Sequence, residues 1–271
     1  MADAGPLSSG SDLATSRRSV TLLRVGIVVA ILLSWEVLAA SGLLYRDVVP
    51  SLVAIGRAIG RVLANPDFYL NLAVTLTEIA VAIVIGGLSG LATGILLGAN
   101  PFLSRAYESL LYYLGPTPKI IFFPVMILWF GVGSGSKIAM GVASCFFPIV
   151  ISAASGMRQI DPVLIRVGKS FHASAWQMVR KIYLPAMRQP IVNGIRLGLG
   201  VAIIGTLLAE TKLSNRGIGY LIIQAYSTFD MPTMYALLIV LFVLSIGANA
   251  LIGRLGGTFT KEKSTRRIVR Q

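Results

Sequence analysis

The sequence predicts an all-α membrane protein with about six transmembrane helices. Of the 271 residues, 55% are apolar and only 13% are charged, and the mean hydropathy is +0.78. A soluble domain carries about 25% charged residues and keeps much of its surface in water. One soluble core therefore cannot bury this much apolar side chain, and the bilayer is the solvent that accommodates it.

The hydropathy pattern places the spans. A helix needs about 20 mostly apolar residues to cross the hydrocarbon core. Six segments meet this requirement: roughly 25–44, 72–98, 104–130, 138–156, 191–210 and 234–254. The first resembles a secretory signal, but its length and its polar leader favour an uncleaved helix. The third contains three prolines, which a bundle tolerates because neighbouring helices satisfy the freed carbonyls.

The distribution of Lys and Arg predicts the orientation of the spans. Sixteen of these 24 residues fall on the side of the termini and of segment 157–190, and six fall on the opposite side. Lys119 and Arg196 lie within spans. Because cytoplasmic loops carry the excess of positive charge, we expect both termini to be cytoplasmic. The predicted organisation is a flexible tail (1–24), a transmembrane domain (25–254) and a basic tail (255–271).

The composition excludes several kinds of site. The single cysteine rules out an internal disulfide, and the single histidine rules out a His metal cluster. The run 131–137 contains glycines and a lysine but lacks the spacing of a nucleotide loop, so we read it as a tight turn. The net charge of +13 accompanies long uncharged runs, which favours membrane loops over nucleic acid. We expect no catalytic residue, metal or cofactor in this chain.

Two further patterns concern packing. Residues 50–64 form an amphipathic helix that Ser51 caps, with Arg57 and Arg61 on one face. It is expected to lie on the outer membrane surface. The four glycines at 86, 90, 94 and 98 form a smooth stripe on the second span, which predicts close approach of another helix.

Lys119 is the cation nearest mid-membrane depth. Ions within the membrane are costly and face a cavity or a partner. Lys119 either attracts an anionic substrate or has a structural role, snorkelling or pairing with Glu78. Glu78 and Glu210 complete the candidate translocation path, although the acids look scattered, without the pairs expected of an ion-driven carrier.

Segment 157–190 predicts a rigid helix-turn-helix. Asp161 before Pro162 marks one helix start, and Ser174 with Gln177 forms a capping box for a second helix. His172 lies at the turn, where positive φ is tolerated. Pro185 predicts that the second helix ends near residue 183.

The side chains of this segment suit a docking role. Three of them, Phe171, Trp176 and Met178, are expected to be exposed among Arg and Lys. Such anchors fit a groove on a partner protein.

This segment resembles the EAA loop of permease subunits of ATP-binding-cassette (ABC) importers. Ala173-Ser174, Gln177, Ile182, Leu184 and Pro185 match that pattern in order and spacing, and Gly194 follows at the family distance. Blocks 116–138, 146–162 and 217–222 are similar to the sulfonate/nitrate/taurine subgroup. The chain departs from the pattern where Arg166-Val167-Gly168 replaces Glu-Ala-Ala and His172 replaces the turn glycine.

The resemblance implies a type I importer permease fold in a bacterial inner membrane, with 25–254 as the permease domain. It implies a transport subunit that is not an enzyme and that carries a sulfonate-, nitrate- or taurine-like anion. The implied partners are a second permease subunit, expected to be identical, a cytoplasmic ATPase dimer that binds ATP-Mg, and an extracytoplasmic binding protein. The coupling residues would be Arg166, Val167, Gly168, Phe171, His172, Ala173, Ser174, Trp176, Gln177, Leu184 and Pro185. The alternative is an ion-coupled secondary transporter.

Overall fold

The computed structural model describes residues 10–42 and 48–257, and every regular element in these ranges is helical. The longer helices are α1 (Gly10–Ser41), α2 (Leu52–Ala64), α3 (Pro66–Ala99), α4 (Pro101–Leu114), α5 (Phe123–Phe130), α6 (Ser134–Arg158), α7 (Pro162–Ser170), α10 (Arg188–Lys212), α11 (Ile218–Ser227) and α12 (Met231–Gly257). Short ones are α8 (Ala175–Met178) and α9 (Leu184–Ala186), and a 3₁₀ turn (Lys119–Phe122) precedes α5. Helix α1 begins inside the predicted tail 1–24. Of the two predicted tails, 1–9 and 258–271 lie outside the described residues.

Five helices are long and apolar enough to cross a membrane: α1, α3, α6, α10 and α12. Helices α4 and α5 pass the same test only as a pair, bent by 89° at residues 115–118. The bend lies where the sequence places Pro116 and Pro118, which cannot continue a helical hydrogen-bond ladder.

The direction of α6 shows that the bent pair crosses the membrane. The glycine stripe of α3 packs on α6: a Cβ added to Gly90 would lie 3.1 Å from the Phe146 carbonyl, and one on Gly98 would lie 2.8 Å from the Ala154 carbonyl. The contacts advance together along both chains, so α3 and α6 are parallel. Two parallel neighbours require a connection that returns across the membrane, so α4 and α5 form one broken span.

The two halves of the broken span cover different halves of α6. Near one end, Arg158 makes a two-pronged ion pair with Glu108 of α4, with one N···O distance of 2.8 Å. Towards the other end, Phe123 packs with Met140 of α6. The break therefore lies near the middle of the bundle.

The remaining helices place both ends of the described chain on one face. Helix α10 is antiparallel to α6, because Gly194 approaches Ser152 and Gly205 approaches Ser144. Arg196, near the start of α10, contacts Asn249 near the end of α12. Segment 159–187, named here the hairpin, joins α6 to α10 at this end, which we name the hairpin face.

Helix α1 begins on the hairpin face and ends on the opposite one. Near its carboxyl end, Trp35 packs edge-on against Tyr235 of α12 and donates to the Pro50 carbonyl. Glu36 accepts the backbone N–H of Leu52, which fixes the start of α2. Helix α2 then buries Ala58 and Val62 against α11 and α12. Its apolar side therefore packs on other helices, a contact that the expected position on the outer membrane surface did not include.

Candidate functional site

The hairpin has the caps that its sequence predicts. The Asp161 carboxylate accepts the N–H of Val163 at 2.8 Å and starts α7. Ser174 and Gln177 form the complete capping box that starts α8. Between the helices, His172 has φ 50°, the left-handed conformation expected at this turn.

The second leg of the hairpin does not end near residue 183, so that prediction was wrong. A π-helical turn, Val179–Tyr183, follows α8 and continues into α9. The wider turn gives Leu184 a bond to the Val179 carbonyl just before Pro185, which has no N–H to donate. Pro185 thus changes the pitch of the helix without stopping it.

Of the three candidate docking side chains, two are exposed to solvent and one is buried. Phe171 is 82% exposed and Trp176 is 68% exposed. Met178 is buried, contrary to the prediction, because its sulfur fills the space beside Gly168. A Cβ on Gly168 would lie 2.5 Å from that sulfur, so glycine lets α7 and the second leg pack closely.

The hairpin is seated on the bundle. Its half-buried Ile165 and Tyr183 pack on a cluster of Ala153, Met157, Ile160 and Met187, which joins the end of α6 to the start of α10. The hairpin therefore has a fixed base and an exposed tip.

The exposed surface of the hairpin is basic. Its exposed cations are Arg166, Lys169, Arg180 and Lys181. Within 159–187 the single acid is Asp161, whose side chain caps α7. The other predicted coupling residues are also at or near the surface: Val167, His172, Ser174, Gln177 and Pro185 are exposed, and Ala173 and Leu184 are half-buried.

A cavity of about 580 Å³ opens at the break in the third span. Its walls come from the break itself, from α6 and from α10, and they are mainly apolar. Lys119 lines this cavity, whereas Glu78 and Glu210 do not.

The Lys119 ammonium group lies 4.9 Å from the centre of the Phe147 ring. It donates to the carbonyls of Gly115 and Thr117, which lie in the break between α4 and the 3₁₀ turn. It is not paired with Glu78. One of its three N–H donors has no hydrogen bond among the described residues.

The acids are not scattered, which corrects the sequence interpretation. Glu78, Lys137 and Glu210 are all at most 2% exposed. The two carboxyl groups are close enough to interact electrostatically with each other and with Lys137. The Oε2 atom of Glu78 has no hydrogen-bond partner among the described residues. The run 131–137 was expected to form a tight turn, but α6 already begins at Ser134 and carries Lys137 into the bundle. Gly131 follows the end of α5 and Gly133 caps the start of α6. These two glycines were the signal in the sequence that the next helix begins before Lys137.

This buried cluster holds the start of α11. Glu210 accepts the Thr75 hydroxyl at 2.7 Å and the Gly219 N–H at 2.6 Å. Thr75 in turn accepts the N–H of Ile218 at 2.8 Å. Gly217 has φ 108° and lies so close to Glu210 that a side chain would collide with the carboxyl group. The described residues contain no group of three side chains able to hold a metal ion.

Comparison with known proteins agrees with this architecture. A permease of Bacillus subtilis named for the transport of aliphatic sulfonates is 29% identical over 240 residues, which is 89% of this chain and 83% of that one. The taurine transport system permease protein TauC of Escherichia coli is 29% identical over 249 residues, 88% of this chain and 90% of its own length. A chain from the inward-facing MetNI methionine ABC transporter superposes with a TM-score of 0.63 at 20% identity, covering 70% of this chain and 95% of that chain. This last likeness concerns the fold.

Residues 82–259, about two thirds of the chain, match one family. This range includes the hairpin, the broken span and two members of the buried cluster, Lys137 and Glu210, whereas Glu78 precedes it. The relatives are transport permeases, not enzymes. The chain therefore belongs to the family of binding-protein-dependent transport system inner membrane components, as the permease subunit of an ABC importer.

Proposed function

We propose that this permease carries a small anion inward, driven by a separate ATPase that binds the hairpin. The observation that carries the proposal is the hairpin itself: a capped, seated helix pair whose tip exposes Phe171 and Trp176. Large aromatic side chains that are exposed to water at a rigid tip are typical anchors of a protein interface.

The proposed docking region is segment 157–190 within a permease domain of residues 25–254. Phe171 and Trp176 enter a cleft on a cytoplasmic ATPase, and the basic residues Arg166 and Lys169 surround them. Two ATPase subunits bind ATP-Mg, and this chain binds none. Because the hairpin is rigid, ATPase closure moves α6 and α10 instead of deforming a loop.

The orientation in the membrane is inferred from the charge distribution, and the partners and the solute are inferred from the relatives. Both termini lie in the cytoplasm of a bacterial cell, on the hairpin face, which carries most of the Lys and Arg residues. A second, identical permease subunit completes the path, and an extracytoplasmic binding protein delivers the solute. The relatives are named for the transport of sulfonates, taurine and nitrate, and from this range of solutes we propose a small anion. Lys119 lines the path, and Glu78 and Glu210 support it from the buried cluster.

The docking proposal is tested by removing the anchors. Trp176→Asp should insert into the membrane in normal amount but lose co-purification with its ATPase, because a buried unpaired carboxylate replaces an aromatic anchor. The matched control is Tyr226→Asp, which changes an aromatic residue that is 56% exposed on the opposite face. Retention of the ATPase by Trp176→Asp would contradict docking through the hairpin.

The ion-coupled alternative predicts uptake that continues without an ATPase. A transport assay in cells that lack the ATPase separates the two functions. Uptake there would overturn the proposed coupling.

A further inference from the structure

The broken third span places one cation in an apolar cavity at the middle of the bundle. Phe147, over which the Lys119 ammonium lies, is 13 positions from the start of α6 and 11 from its end. At about 1.5 Å per residue, each end of α6 is roughly 15–20 Å away. A backbone break at this depth is tolerated where it lines a cavity, and the cavity is open at this break.

In the described part of the chain, the cavity walls are mainly apolar and carry a positive charge without a negative one. Aromatic and aliphatic side chains dominate, including Tyr112, Phe147, Ile151 and Ile204. Lys119 is the charged side chain among the described residues that line the cavity, and no acid lines it. Its charge is shared with two backbone carbonyls but is not neutralised by a carboxylate. The unused N–H donor of Lys119 is free for an incoming acceptor.

These walls discriminate between kinds of anion. An anionic head group gains a charge-assisted hydrogen bond from Lys119. An apolar body is favoured against the aromatic and aliphatic walls. A second, positively charged end would meet Lys119 with no carboxylate to balance it. A volume of about 580 Å³ lies within the range of sites that enclose a whole organic ligand.

Resting on the proposed function, we infer that this cavity is a solute site for organic monoanions with an apolar body, and that it selects against zwitterions that carry a free ammonium group. The binding protein meets the solute first, and this cavity makes a second selection within the membrane. Among sulfonates, an alkyl or aryl sulfonate therefore fits, whereas an amino-sulfonate does not.

The test uses the complete permease–ATPase complex in lipid nanodiscs, without the binding protein. Ile204→Cys places a thiol in the cavity wall, where Ile204 is 57% exposed, and Cys145 is fully buried. The rate of maleimide labelling then reports occupancy of the cavity. The control is Arg57→Cys at an exposed position of α2, whose labelling the probes should not change.

Four probes separate the contributions of the apolar body, the anionic head group and a second, cationic end to binding. Hexane-1-sulfonate should slow labelling of Ile204→Cys, and butane-1-sulfonate should bind more weakly by about fourfold for each missing methylene. The neutral hexane-1-sulfonamide should bind about tenfold more weakly, because it lacks the charge-assisted bond. The isosteric 5-aminopentane-1-sulfonate should also lose about tenfold, through repulsion of its ammonium.

Substitution of Lys119 completes the test. In Lys119→Gln, hexane-1-sulfonate and its sulfonamide should protect equally, and Lys119→Arg should restore the preference for the anion. Equal protection by the aminated probe, no protection by any probe, or an anion preference that survives in Lys119→Gln would overturn the inference. The ATPase content of each sample is measured as well. Loss of the ATPase from the wild-type complex would count against the proposed function. If the ATPase is present but the probes do not protect Ile204→Cys as expected, only the assignment of the cavity is refuted.

Discussion

At the scale of single residues, Glu210 links three helices through two buried hydrogen bonds. It is fully buried and satisfies the Thr75 hydroxyl and the Gly219 backbone within the same carboxyl group. Most buried polar groups in proteins have a hydrogen-bond partner, and removing that partner is costly. Glu210 therefore determines where α11 begins.

We expect Glu210→Leu to loosen α11. The Gly219 N–H and the Thr75 hydroxyl would be left without the acceptor, at a cost of about 1–3 kcal/mol for each buried unpaired group. Glu210→Gln keeps an acceptor oxygen and is the milder variant. Hydrogen exchange of residues 218–227 measures the effect, and equal protection in Glu210→Leu and the wild type would show that the contacts do not hold α11.

The hairpin and the buried cluster differ in how far their contacts could be predicted from the sequence. The Asp161 cap, the capping box and the positive φ of His172 depend on residues a few positions apart, and all three are confirmed. Thr75 and Glu210 are 135 residues apart, so their contact depends on how α3 and α10 are set against each other. Periodicity alone does not give that relation.

At the scale of elements, the glycine stripe of α3 fixes its contact with α6. A Cβ on Gly94 would lie 2.8 Å from the Val150 carbonyl and 2.5 Å from the Ala153 Cβ. Backbone cannot move aside as a flexible side chain can. The sequence predicted this close approach, but it did not identify α6 as the partner or show that the helices are parallel.

Gly94→Ala should destabilise the bundle by about 1–3 kcal/mol, the usual cost of overpacking. Gly247→Ala on α12 is the matched control, because nothing lies within 4 Å of an added Cβ there. Thermal unfolding of the purified protein compares the two. Equal melting temperatures would mean that α3 and α6 are less tightly packed than described.

At the scale of the whole molecule, one face carries the hairpin, the start of α1 and the end of α12. The hydropathy pattern predicted six spans, and the third is present as a broken one. The 89° bend could not be derived from the prolines alone, because a proline kinks a helix by an amount that its neighbours decide.

Single cysteines test which face is cytoplasmic. Cys145 is fully buried, so the wild-type chain should not react with a water-soluble thiol reagent. In intact cells whose outer barrier admits the reagent, Arg57→Cys on α2 should be labelled and Phe171→Cys should react only after the membrane is opened. The reverse pattern would invert the orientation and remove the hairpin from the compartment that holds ATP.

The cavity shares two of its three walls with the helices that the hairpin joins. Met140 and Phe147 belong to α6, Val201 and Ile204 belong to α10, and the hairpin is seated across the ends of both. The third wall is the broken span, tied to α6 near the hairpin face through Arg158 and Glu108. A small tilt of α6 and α10, imposed where the hairpin is seated on them, would therefore change the width of the cavity. The contacts between the cavity walls and a transported solute would change while every helix stays folded.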